Sequence, residues 1–143
     1  MKTIKKAAIS GLLAVATISC KKEVKLLSTK DALSHSWKLT LQGSDLNGNM
    51  NFDTEEKNVV PDSARYSYQL KNSGSGFRVG PNNIYVDSVR WELINGESLL
   101  YISLDDKGFK KDYYYKYQVG SKTLIVLDTT ATPDFYRYFE RED

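Results

Sequence analysis

The chain reads as an all-β protein built as an antiparallel up-and-down meander, and three observations lead there. Short segments rich in Tyr, Val, Ile, Leu, Trp and Phe alternate with polar residues at a period of two, which gives a strand one dry and one wet face. Clusters of Gly, Asn, Asp, Ser or Pro separate these segments. Beyond residue 36 no stretch carries helical periodicity.

The first thirty residues stand apart from this pattern. Lys2, Lys5 and Lys6 precede an uncharged run from Ala7 to Ile18, closed by Ser19 and Cys20. A charged start, a short apolar stretch and a small residue before a cleavage point make a secretory signal. The run is shorter than the roughly 20 residues that a bilayer span needs. Thr17-Ile18-Ser19-Cys20 resembles a lipobox, which implies that Cys20 is lipidated and becomes the new N-terminus. Cys20 is the only cysteine and so has no internal disulfide partner in an oxidising compartment. The lysine-rich stretch from Lys21 to Lys30 suits a tether. The expected organisation is a lipoprotein signal peptide over 1–19, a lipidated N-terminus and tether over 20–30, and one domain over 31–143. The expected location is the cell envelope, at the outer membrane, with the membrane as partner through the lipid anchor.

Ser28 or Thr29 is placed to cap one short helical turn running to Ser34. The strands follow. Trp37 to Leu41, Tyr66 to Leu70, Val89 to Leu93 and Leu100 to Leu104 each put their apolar residues on one face. Asn95-Gly96 between the last two is a strong hairpin signal, predicting a hairpin over residues 88–104. A second hairpin is predicted from Tyr113–Val119, through Gly120-Ser121-Lys122, to Leu124–Leu127. Phe135–Arg141 forms the last strand, after Pro133 has closed the one before. Gly74-Ser75-Gly76 reads as a flexible hairpin loop, since no helix start or P-loop lysine follows it. Seven or eight such strands twist, and either close into a barrel or fold into a sandwich; periodicity does not choose between the two.

Removing residues 1–19 takes three lysines away and turns a formal net charge of +2 slightly negative. Scattered, nearly balanced charge excludes nucleic acid as a partner. Catalytic parts are missing too. His35 is the only histidine, so no two-histidine metal site exists, and no Gly-x-Ser-x-Gly turn is present. Asp105-Asp106-Lys107-Gly108 reads as a turn. Asp45, Asn47, Asn49, Asn51, Asp53 and Glu56 follow the oxygen-ligand spacing of a calcium loop. Met50 occupies the place of its glycine and no helices flank it, so the segment reads as a polar loop between the first two strands. No catalytic residue, metal or cofactor is expected.

A short turn, a strand opening Ser36-Trp37-Lys38-Leu39 and a meander ending Tyr136-Arg137-Tyr138-Phe139-Glu140-Arg141 resemble the lipocalin-like domains of bacterial envelope lipoproteins. The resemblance covers roughly residues 30–143 and implies a closed or nearly closed eight-stranded barrel, filled by side chains or holding one small ligand. In that family a first-strand tryptophan plugs one barrel end beneath an arginine from the last strand. Trp37 matches the tryptophan, Arg137 or Arg141 the arginine, and His35 stands where the usual glycine would be. By this reading Tyr66, Tyr68, Trp91, Tyr113, Tyr115 and Tyr117 either line a cavity for an apolar or amphipathic small molecule or fill a small core. The expected function is therefore a non-enzymatic, membrane-anchored binding barrel. The alternative is a solid β domain that docks a protein or a glycan.

Overall fold

The computed structural model describes residues 28–49 and 51–143. The expected signal peptide, Cys20 and most of the expected tether lie outside the described residues, as does Met50. One short helix, α1 (Thr29–Leu33), opens the described chain, with the Ser28 hydroxyl accepting the Asp31 N–H at 3.1 Å. Nine strands follow: β1 (Ser36–Ser44), β2 (Asn58–Val59), β3 (Ser67–Leu70), β4 (Ser75–Val79), β5 (Val86–Ile94), β6 (Leu99–Asp106), β7 (Phe109–Val119), β8 (Thr123–Asp128) and β9 (Phe135–Glu142).

The strands form one antiparallel sheet in which β1 also pairs with β9, closing a barrel of eight strands. Closure decides the question that periodicity left open: the meander is a barrel and not a sandwich. The extra strand, β2, lies end to end with β3 along the edge of β1 that faces away from β9. Leu41 stands opposite Val59 and Trp37 opposite Tyr68. Residues 61–65 make a short excursion between them, so two strands fill one position in the barrel.

Both predicted hairpins are present. β5 and β6 are joined by residues 95–98, where Asn95, Gly96 and Glu97 have left-handed φ values of 51°, 64° and 66° and the Ser98 N–H donates to the Asn95 carbonyl at 3.4 Å. β7 and β8 pair from Tyr115–Asp128 to Val119–Leu124, and β7 begins earlier than its apolar pattern, at Phe109. One expectation fails: Ser75 and Gly76 belong to β4 rather than to a flexible loop. Gly76 faces inward between Leu70 and Val89, where an added Cβ would lie 2.1 Å from the Gln69 carbonyl oxygen. A strand whose inward position must be glycine shows no apolar alternation, which hides it from a periodicity reading.

The inward faces meet in one core of Leu33, Trp37, Leu39, Val60, Tyr68, Leu70, Val89, Trp91, Leu100, Ile102, Leu104, Tyr115, Leu124, Val126 and Phe139. The two barrel ends differ. At one, α1 lies over the turns at 71–74, 95–98 and 120–122. Its Leu33 carbonyl accepts the Trp37 indole N–H at 2.8 Å, and its Asp31 carboxylate is hydrogen-bonded by Asn72. The connections at 45–57, 80–85, 107–108 and 129–134 form the opposite end, called the rim below.

Phe139 is fully buried, opposite Leu39 and Leu124, with the Tyr66 and Tyr68 rings 5.9 and 5.7 Å from its own. Phe139→Ala is expected to destabilise the barrel by about 3–5 kcal/mol, read as a lower urea midpoint at unchanged slope.

Candidate functional site

Residues paired across a ladder share a face of the sheet. Tyr68 pairs with Arg78, and Arg78 with Asp87, so two charged residues follow a buried tyrosine around the inside of the barrel toward the rim. The Arg78 Nε donates to Asp87 Oδ2 at 2.8 Å, and Asp87 is only 6% exposed. The Arg78 guanidinium also lies 5.8 Å from the Tyr66 ring centre and 5.3 Å from that of Tyr85, within cation–π range.

A second arginine reaches the same region from β9. Arg137 sits between Val126 and Gln42 in register, with its guanidinium 5.0 Å from the Phe135 ring centre. Its Nη1 is buried without a hydrogen-bond partner and lies 3.9 Å from Asp128 Oδ2. Tyr115, opposite Asp128, completes the group, its ring stacked on Tyr113 at 5.7 Å. Tyr66 meets Tyr68 edge to face at 5.4 Å. The result is a floor of four tyrosines beneath two arginine–aspartate pairs.

Burial is the largest influence on these phenols and pushes Tyr66, Tyr68 and Tyr115 above the usual tyrosine range, while the positive charge of Arg137 pulls the other way on all three. Neutral hydroxyls beside fixed guanidinium charges donate and accept hydrogen bonds.

The six aromatic residues singled out in the sequence divide into two sets. Tyr66, Tyr68, Tyr113 and Tyr115 form the floor just described. Trp91 and Tyr117 lie toward the α1 end, where the Trp91 indole N–H donates to the Lys71 carbonyl at 3.0 Å and the Tyr117 hydroxyl to that of Glu97 at 2.6 Å. Of the two arginines matched to the barrel plug, Arg141 stands opposite Trp37 in register. Arg137 lies four residues away, turned toward the tyrosines. His35 presents its ring edge-on to Trp37 at 6.1 Å, and burial followed by the Arg141 charge holds its pKa below the usual histidine value.

Arg78, Asp87 and Asp128 are the inward charges that the sequence reading missed. The signal was parity: Asp87 lies two residues before Val89 on the inward face of β5, and Asp128 two after Val126 on that of β8. At the rim, Leu46 and Ile84 are 75% exposed, Phe109 76% and Val86 57%. Ile84, Tyr85 and Val86 border a depression of about 540 Å³ that reaches Arg78 and Asp87. A wider, polar depression of about 830 Å³ lies on the outer face of β5–β7, among Arg90, Glu92, Tyr101 and Asp112. Set against known proteins, the chain matches no family model, no curated protein and no solved structure at a significant level.

Two outcomes test this arrangement. Arg78→Met strands the buried Asp87 carboxylate and is expected to cost about 3 kcal/mol, most of it recovered when Asp87→Leu is added, measured by chemical unfolding. The raised phenol pKa values favour the folded state fully below the unfolded tyrosine value of about 10, and that contribution is lost as pH climbs above it. Ultraviolet titration should therefore show only part of the ten tyrosines ionising near that pH, and the remainder with alkaline unfolding.

Proposed function

We propose that the protein is a non-enzymatic lipoprotein of the cell envelope, held to the membrane by a lipidated Cys20. Its lipocalin-like barrel binds a small amphipathic ligand at the rim. The observation that carries this reading is the inward cluster of Arg78, Arg137 and four tyrosines under a rim of exposed apolar side chains. An amphipathic molecule with an anionic end would meet a guanidinium donor lacking a hydrogen bond, aromatic walls and an apolar collar, the mixture of apolar lining and few polar groups that small-molecule sites use. The lone cysteine after a signal-like segment and the lysine-rich tether support the anchor. The absence of an assembled nucleophile or acid–base pair in the cluster supports a binding role over catalysis.

A second reading has its own support. Leu46, Ile84, Val86 and Phe109 are exposed around the rim, and apolar groups so placed also suit a protein-docking surface. Here the filled core is a scaffold and the rim the contact.

Native mass spectrometry of the mature lipoprotein, purified from its own envelope in mild detergent, tests both. The expected result is a mass excess removed by organic extraction and lost in Arg137→Met, with acyl chains retained on Cys20 after denaturation. A protein mass equal to that of the acylated chain alone turns the assignment to docking.

A further inference from the structure

The connection between β1 and β2 is folded against the barrel wall rather than out into solvent. Gly43 of β1 lies beneath it, so close that a Cβ there would sit 1.7 Å from the Glu56 carbonyl oxygen. Phe52 stacks on Tyr136 of β9 at 5.3 Å. Within the connection, Asp45 Oδ1 and Asn47 Oδ1 accept the Asn49 N–H at 3.2 and 2.9 Å, and Asn49 Oδ1 accepts the Asn51 N–H at 2.7 Å. Glu56 Oε1 accepts the Leu46 N–H at 2.7 Å, so the last acidic residue is folded back on the start of the loop.

A well-made polar turn would end there. Two buried atoms remain unexplained. Glu56 is 6% exposed, and its second carboxylate oxygen, Oε2, is buried without any donor. Tyr136 is 3% exposed, and its hydroxyl is also buried without a partner. The hydroxyl belongs to the strand residue paired with Gly43, directly beneath the loop. A buried carboxylate oxygen left without a donor or a cation is costly, because it has given up water for nothing. The loop thus holds a buried carboxylate oxygen that no hydrogen-bond donor satisfies.

We propose that this loop is a calcium site, in which Glu56 binds through both carboxylate oxygens while Asp45, Asn47 and Asn49 bind through side-chain oxygens. These residues occupy the first, third, fifth and twelfth places of the calcium-loop spacing, and the twelfth is the one that binds with two oxygens. The Asn47 and Asn49 amide oxygens each keep a second lone pair beside the N–H they accept. Asp53, held by the Asn47 and Asn49 amide nitrogens at 2.9 and 2.6 Å, takes the ninth place, which commonly reaches the ion through water. Among the described residues no three Asp, Glu, His or Cys side chains gather at one point, so the proposed site depends on neutral amide oxygens beside its two direct carboxylates. An all-oxygen, flexible set selects calcium over zinc by ligand type and over magnesium by ligand number.

The test uses the whole detergent-solubilised protein, stripped with a chelator and titrated with calcium chloride by calorimetry and thermal melting. One ion per chain is expected, with a dissociation constant on the order of 10⁻⁴–10⁻³ M or tighter and a melting temperature that rises with calcium. Glu56→Gln should weaken binding at least tenfold, with Asp45→Asn as the second variant should the first fail to fold. No heat and no shift up to about 10 mM calcium, beyond the weakest such sites, would overturn the proposal. Unchanged affinity in a folded variant would do the same.

Discussion

The pairing of the first strand with the last is the constraint on which the remaining structure depends. β1 meets β9 from Ser36–Glu142 to Ser44–Phe135, with one register shift between Leu39 and Leu41. Without that seam the sheet would expose two edges and an apolar face, each open to pairing with other chains. With it, Leu39 and Phe139 become neighbours across the core and Trp37 faces the interior beside α1. Because these contacts join residues about a hundred positions apart, closure is the costliest ordering step and everything inside the barrel follows from it.

Inside, the two ends are held by different physics. Near α1 the contacts are indole and phenol donors satisfied by backbone carbonyls, as in Trp37 to Leu33, Trp91 to Lys71 and Tyr117 to Glu97. Toward the rim the inward positions are Arg78, Asp87, Arg137 and Asp128, charged groups tolerated there because they pair and because tyrosine rings surround them. A barrel needing only stability would carry apolar side chains at those places, since such pairs seldom add net stability over a well-packed hydrophobic substitute. Among the described residues these pairs stand at one end of the barrel, next to the rim.

The outer wall repeats this asymmetry. Phe52 and Glu56 fold over Gly43 and Tyr136, so the longest connection of the barrel is packed rather than free. It belongs to the same end as Leu46, Ile84 and Phe109. Loop order, exposed apolar side chains and inward charge therefore converge on one side of the molecule, while α1 closes the other.

Much of the fold was legible in the chain itself. Period-two alternation in Val89–Leu93 and Leu100–Leu104 determined strands, and Asn95-Gly96 determined their turn, because those signals are local and need no partner. Ser28 likewise declared its helix by capping chemistry. β4 was hidden because its inward positions are Gly76 and Arg78, chosen by what stands opposite them rather than by their own hydrophobicity. The four tyrosines of the floor were visible as strand residues, but their grouping around Arg78 and Arg137 came from the register between strands. Only the tertiary structure decided that the sheet closes, that Arg137 and Arg78 share an interior, and that Glu56 lies buried beside Tyr136. Each is a contact between segments remote in sequence, fixed by strand register and closure, which no local pattern encodes.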